Sequence, residues 1–314
     1  MLDDLLATLR VITLPTRTNF RGVTFREIAL MQGPQGWGEF SPFLEYDDNE
    51  CRPWLASAIE AATVARPARY RDAIAINGTI PELNDKKEIE SLMQTYAGAK
   101  TFKVKVGRNL TEDVIRVARV FSNAPKASIR VDVNGLWSVD EALTHLYAYY
   151  EEIGPLEYVE QPCATVEELR ELKRKINIPL RIAADELIRK APDPFAVDLT
   201  GAADILMLKV QPLGGIQRSL DIAAHHGLPV VVSSALESAI GIEYGLELAA
   251  SIKDLTFDCG LATGSLLASD VAEHKIIDGK ITLGQISPQL DGLDVSPERY
   301  EWWKNRIMRV GTLL

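Results

Sequence analysis

Five successive short apolar runs in the middle of the chain end in Lys105, Asp132, Glu160, Asp185 and Lys209. Side chains alternate between the two faces of a strand, so Phe102-Lys103-Val104-Lys105-Val106 puts both lysines on one face and the apolar residues on the other. Arg130, Asp132 and Asn134 likewise share a face. A lone Lys-Val-Lys describes a solvated edge strand, and a lone Asp at a strand end describes a loop or helix cap. Five polar ends in a row change that reading. Three bare carboxylates converging on one site repel each other and raise each other's pKa. A hard divalent cation removes that penalty. Oxygen-only ligands without His or Cys suit Mg²⁺, with Mn²⁺ as the alternative. Lysines flank the carboxylates. A lysine beside another cation, or desolvated in a barrel, has a depressed pKa and can take a proton near neutrality. Such a set suits a small carboxylate substrate with an acidic C–H.

The elements that must carry these residues are readable as a β/α alternation. Strands are expected at 73–77, 102–106, 129–133, 158–160, 181–185, 205–209 and 230–233, with a weaker one at 257–260. Amphipathic helical segments lie between them, including 139–153, 166–175 and 216–226. Steps from Lys105 to Asp132, Glu160, Asp185, Lys209 and Ser233 are 27, 28, 25, 24 and 24 residues, the length of a βα unit. The expected fold is α/β: a modified TIM-type (β/α) barrel of seven to eight strands, spanning 71–274. Active sites of such barrels lie at the C-terminal mouth. Residues 1–70 plus 275–314 read as an α+β capping domain built from both termini. No GxGxxG or P-loop follows any strand, which disfavours an open doubly wound nucleotide-binding sheet. The segment Thr16-Arg17-Thr18-Asn19-Phe20-Arg21-Gly22 reads as a mobile polar loop that closes over substrate, its arginines offsetting the negative chain.

Composition sets limits. The 314 residues carry a net charge of −10, which argues against a nucleic-acid partner. No run of 18 apolar residues occurs and the first residues do not resemble a signal peptide, so no membrane partner and a cytoplasmic location are expected. Cys51, Cys163 and Cys259 form no CxxC pair and read as packing residues. His225 and His226 read as a helix C-terminus, Glu186 as structural, and Trp302 and Trp303 as packing in the terminal domain. Nothing fixes an oligomeric state, and a monomer is compatible.

The set Lys103-x-Lys105, Arg130-Val-Asp132-Val-Asn134, Glu160-Gln-Pro162, Asp185-Glu186 and Lys209 resembles the enolase superfamily, and most of all its muconate-lactonizing-enzyme subgroup. Enolase-superfamily sites use Lys or His bases with Mg²⁺. Within the subgroup, Val231-Val-Ser233-Ser234-Ala-Leu-Glu237-Ser238-Ala-Ile-Gly241 and Gly260-Leu-Ala-Thr263 are similar to a dehydratase branch. That branch aromatises a cyclohexadiene carboxylate with a succinyl arm on the route to menaquinone. The resemblance implies Asp132, Glu160 and Asp185 as Mg²⁺ ligands and Lys105 as the base. It implies Lys209 as the cation facing the enediolate, and Lys103 as the charge that keeps Lys105 deprotonated. Substrate contacts are expected from Arg130, Asn134, Ser233, Ser234 and Gly260. The same scaffold also supports N-succinylamino acid racemases and dipeptide epimerases. The latter are disfavoured because Gly260–Thr263 carries no acid pair for an ammonium group. A metal-free Schiff-base lyase would leave the three carboxylates without a purpose. A non-catalytic barrel is disfavoured because no expected part of the site is missing.

Overall fold

The computed structural model describes residues 2–20 and 22–314. Its strands are Arg10–Phe20 (β1), Val23–Gly33 (β2), Gly36–Phe40 (β3), Ala73–Ala75 (β4), Gly78–Ile80 (β5), Thr101–Lys105 (β6), Ser128–Asp132 (β7), Tyr158–Glu160 (β8), Ile182–Ala184 (β9), Ile205–Lys209 (β10), Val230–Ser233 (β11), Ile276–Ile277 (β12) and Lys280–Thr282 (β13). Strands β5 to β11 form one parallel seven-stranded sheet in sequence order. Cys259 and Gly260 bridge its two ends, pairing in parallel with Ile76 and Ser233. The expected eighth strand at 257–260 is therefore present only as these two bridges. The expected first strand is split: Ala73–Ala75 pairs antiparallel with β13, and Gly78–Ile80 enters the barrel.

Alternation explains why this sequence closes into a barrel. Phe102, Val104, Val106, Ile129, Val131, Val133, Leu206, Leu208, Val230 and Val232 belong to the main apolar core, which includes helix residues such as Val117, Leu146 and Leu169. Each fully buried side chain of this size contributes about 1.5–3 kcal/mol. The opposite face of the strands supplies a second, smaller cluster of Tyr158, Ala183, Ile205, Met207 and Val231, which fills the barrel interior. The polar residues stand above that apolar plug. Helix starts are locally encoded. Ser138 with Glu141, and Thr165 with Glu168, form reciprocal capping boxes at the helices Val139–Ile153 and Val166–Lys175.

The terminal segments form a lobe of their own. Antiparallel β1–β3 packs with the helices Asp48–Thr63 and Pro297–Gly311 through Val11, Phe40, Trp54, Leu55, Trp303 and Ile307. Strand β13 pairs with β4 and not with this sheet. Thr16–Phe20, expected as a mobile loop, is the far end of β1, and Thr16 bridges Leu267. The alternation there is polar on both faces, which hid the strand. Arg21 lies outside the described residues. Among the described residues, no helix is long and apolar enough to cross a membrane.

Candidate active site

Strand register brings the chemistry together. Lys105, Asp132 and Glu160 are direct neighbours across β6, β7 and β8, and Lys209 pairs with Ser233 across β10 and β11. Asp185 follows β9. All five charged side chains, with Lys103, are buried at the C-terminal mouth of the barrel. Lys103 Nζ lies 2.7 Å from Glu160 Oε2 and 3.2 Å from Asp132 Oδ2. Lys105 Nζ lies 2.5 Å from Asp132 Oδ2, and Lys209 Nζ lies 2.5 Å from Asp185 Oδ2. The two outer lysines thus flank the three carboxylates, as expected from strand order.

Burial alone would raise the Asp132 and Asp185 carboxyls. The charges of Lys105, Lys103 and Lys209 around Asp132, and of Lys209 and Arg189 beside Asp185, outweigh it and hold both well below the usual range. Glu160 goes the other way. Burial first, and then the neighbouring Asp132 and Asp185 charges, push it up to about 7 despite Lys103 and Lys209. Burial would lower Lys103, but Glu160 and Asp132 keep it charged and raise it.

A polar chain surrounds this core. Asn134 Oδ1 accepts from Lys105 Nζ at 2.9 Å, and Asn134 Nδ2 donates to Glu186 Oε1 at 3.0 Å. Arg189 donates to Glu186 Oε1 at 2.6 Å and to Asp185 Oδ1 at 3.2 Å. Glu186, expected to be structural and to face away, thus links Asn134 to Arg189 beside the carboxylates. It opens the four-residue helix Glu186–Arg189, so the strand's alternation no longer assigns its face. Gln161 was not expected. Its Oε1 accepts from the amides of Asp185 and Leu187, and its φ of 40° lies in the left-handed region. Holding a non-glycine residue there costs of order 1–3 kcal/mol, sustained by these bonds. The signal for Arg189 was its i,i+4 spacing from Asp185, which puts both on one helical face.

Ser233, Ser234, Gly260 and Thr263 line the same cavity as the lysines, Asp132 and Phe43 of the terminal lobe. Ser234 Oγ donates to the Gly260 carbonyl at 2.6 Å and lies 2.9 Å from Thr263 Oγ1. Arg130 is not brought to this cavity. Its guanidinium turns toward the N-terminal end of the barrel, 2.5 Å from Glu157 Oε2 and 2.7 Å from the Asp258 carbonyl, over the Tyr158 ring. It sits one side-chain layer below Asp132, and alternation assigns a face but not a depth. Arg17 is exposed and faces a neighbouring groove beside Ser265.

As they stand, the described residues form no ready-made metal cage, because each carboxylate is turned to a lysine. The donor set nevertheless fits a hard cation. All three groups are oxygen donors on adjacent strand ends. Glu160 Oε1 is buried without a hydrogen-bond partner, 3.9 Å from Lys209 Nζ. An orphaned carboxylate oxygen at this depth is what a cation would satisfy.

The enolase C-terminal domain-like family model matches residues 87–298, and the enolase N-terminal domain-like model matches residues 11–62. The chain is 50% identical over 320 residues to o-succinylbenzoate synthase of Mycobacterium ulcerans, covering 100% of this chain and 96% of that protein. Identity to the o-succinylbenzoate synthase of Mycolicibacterium smegmatis is 47%, over 100% of this chain and 98% of that one. Among solved structures, the L-Ala-D/L-Glu epimerase from Bacillus subtilis is similar with a TM-score of 0.74 at 22% identity, covering 88% of this chain and 95% of that one. Muconate cycloisomerase from Pseudomonas fluorescens gives 0.71 at 21% identity, covering 94% and 96%. At these identities the solved structures speak for the fold alone.

Proposed function

The chain belongs to the o-succinylbenzoate synthase family of the enolase superfamily, and from that premise we infer that it is a carbon–oxygen lyase. It dehydrates 2-succinyl-6-hydroxy-2,4-cyclohexadiene-1-carboxylate to o-succinylbenzoate, on the route to menaquinone. The observation that carries this reading at the level of the site is the placement of Lys105 and Lys209 on either side of Asp132, Glu160 and Asp185.

Asp132, Glu160 and Asp185 would hold Mg²⁺, or Mn²⁺ in its place, and the cation when bound would supply Lewis-acid charge for the substrate carboxylate. Lys105 Nζ takes the proton from the ring carbon that bears the carboxylate. The C–O bond on the adjacent carbon then breaks, the ring double bond forms, and Lys105 returns its proton to the departing hydroxide as water. One base therefore serves both halves of a syn elimination. Aromatisation makes the elimination strongly downhill. Lys209 faces the growing negative charge as a fixed cation. With Asp132 and Glu160 taken up by a cation, the charge of Lys103 beside Lys105 would disfavour a second ammonium there. Asn134 fixes the amine of Lys105 through its Oδ1. Ser233, Ser234 and the backbone at Gly260 would meet the succinyl arm. The cap of 1–70 plus 275–314 over a barrel of 71–274 belongs to the same proposal, with Phe43 reaching into the site from the cap.

The test is conversion of the cyclohexadiene carboxylate by the purified protein, followed by absorbance. Turnover should vanish with EDTA and return with Mg²⁺. Turnover indifferent to EDTA would remove the cation from the reading. No turnover with Mg²⁺ present, together with α-proton exchange on an N-succinylamino acid, would replace the dehydratase by a racemase.

A further inference from the structure

Two contacts between the terminal lobe and the barrel, one buried at Glu39 and one partly buried at Glu60, share one design. Glu39 is the penultimate residue of β3 of the lobe, and its side chain reaches the start of the barrel helix Ala239–Ser251. Its Oε2 accepts from Ser238 Oγ at 2.5 Å and from the Gly241 amide at 3.0 Å. Its Oε1 accepts from Ser41 Oγ at 2.6 Å, and from Gln211 Nε2 and the Ser238 amide at 3.3 Å each. Glu60 lies on the lobe helix Asp48–Thr63. Its Oε1 accepts from the Ile216 amide at 2.6 Å and from the Tyr244 hydroxyl at 2.5 Å. Ile216 opens the helix Ile216–His226, whose own N-cap, Gly215, has no side chain to offer. The first amides of a helix lack intrahelical partners and carry partial positive charge. Each glutamate therefore supplies a carboxylate cap from outside the barrel.

The sequence makes room for both. A Cβ on Gly215 would come within 2.5–2.6 Å of the Glu60 carboxylate, and φ there is +115°. A Cβ on Gly241 would lie 2.6 Å from the Glu237 Cβ and 2.7 Å from Gln211 Nε2. Both glycines stand where the lobe meets the barrel, and neither is needed by a hairpin.

Both glutamates also touch the chain that follows Lys209, Glu60 through the helix start it caps and Glu39 through a side-chain bond. Gln211, two residues after Lys209, lies in the short helix Val210–Leu213, and Ile216, seven residues after it, opens the next helix. Glu39 holds the first and Glu60 the second. Glu39 also holds the helix start just after Ser233 and Ser234. We propose that Glu39 and Glu60 are positioning residues, two lobe carboxylates that cap barrel helices across the boundary and so fix the strand end presenting Lys209. Docking of the lobe then sets the geometry of Lys209 beside Asp185. This rests on the role given to Lys209 above.

The test uses the full-length protein with Glu39→Gln and Glu60→Gln, singly. Each substitution keeps size and one acceptor oxygen but removes the charge. Displacing a catalytic group by about 1 Å costs up to about 100-fold. We expect kcat to fall about tenfold with KM within about twofold, and amide exchange to quicken at Ile216 in the Glu60 variant and at Gly241 in the Glu39 variant. Tyr244→Phe removes the other partner of Glu60 and leaves the cap, so its kcat should match the wild type. If a Gln variant does not fold, the Asp variant is read the same way. Faster exchange with unchanged kcat would overturn the proposal, because the carboxylates would then cap without positioning. So would unchanged exchange. Protected amides in a wild type that fails to turn over the substrate would instead refute the functional reading and leave the caps standing.

Discussion

Replacing Lys103 with Met keeps the length of the side chain and removes its charge. In the structure this lysine lies 2.7 Å from Glu160 and 3.2 Å from Asp132, with side chains 6%, 0% and 1% exposed. Breaking a buried pair by removing one partner costs about 3–5 kcal/mol, because the remaining charge is left uncompensated. Unfolding entropy of about 2.1 cal/mol/K per residue, taken over 314 residues, converts this to a fall in melting temperature of about 4–8 °C. The loss has a pH signature. Burial, with the Asp132 charge, already raises Glu160 to about 7, and removing Lys103 raises it further. A carboxyl raised on folding contributes stability below its unfolded pKa, and that contribution is lost as pH rises through the folded value. The deficit should therefore be small at about pH 5 and much larger at about pH 9. Mg²⁺ should recover more stability in the variant than in the wild type, since a bound dication replaces the missing charge. Thermal melts of both proteins, with EDTA or Mg²⁺ at the two pH values, read all of this. An unchanged melting temperature at high pH, or equal Mg²⁺ stabilisation of the two proteins, would refute the charge balance described for the site.

Lys209→Met should lower kcat by about 10²–10³, the usual effect of removing one group that faces developing charge, with a smaller change in KM. A kcat near wild type in steady-state assays would take Lys209 out of the chemistry. Glu237 is held up at about 7 by burial and by the charge of Glu39, against Arg26. A raised pKa means the stabilising contribution is present below the ordinary 4.5 and lost as pH rises through about 7. Glu237→Gln should therefore gain about 3 kcal/mol on the wild type between about pH 4.5 and pH 8 in urea unfolding, and parallel pH profiles would contradict that.

Much of the site was legible because barrel geometry converts sequence order into spatial order. Lys105, Asp132, Glu160, Asp185 and Lys209 follow one another by 24 to 28 residues, and parallel pairing must then place them side by side. Period-2 alternation also separated Phe102 and Val104 from the lysines, and both lie in the core shared with the helices. It failed where depth mattered. Arg130 shares the face of Asp132, yet its long side chain runs down the barrel to Glu157. It failed again where a strand turned directly into a helix, since Glu186 changes period there and joins Asn134 and Arg189. The first barrel strand, Gly78-Thr79-Ile80, is too short and too weakly apolar to register, and the run at 73–77 was expected in its place. Contacts that join the lobe to the barrel, such as Glu39 with Gly241, link residues 202 positions apart. No local pattern announces them.

The proposed reaction turns on Lys105 moving the proton in a cation-dependent elimination. The most direct test is the single-turnover conversion of the cyclohexadiene carboxylate by the wild type and by Lys105→Ala, each saturated with Mg²⁺ and shown to bind substrate. Conversion to o-succinylbenzoate is expected of the wild type, with a loss of at least about 10³-fold in the variant. A variant that binds substrate and converts it at the wild-type rate would contradict this role of Lys105.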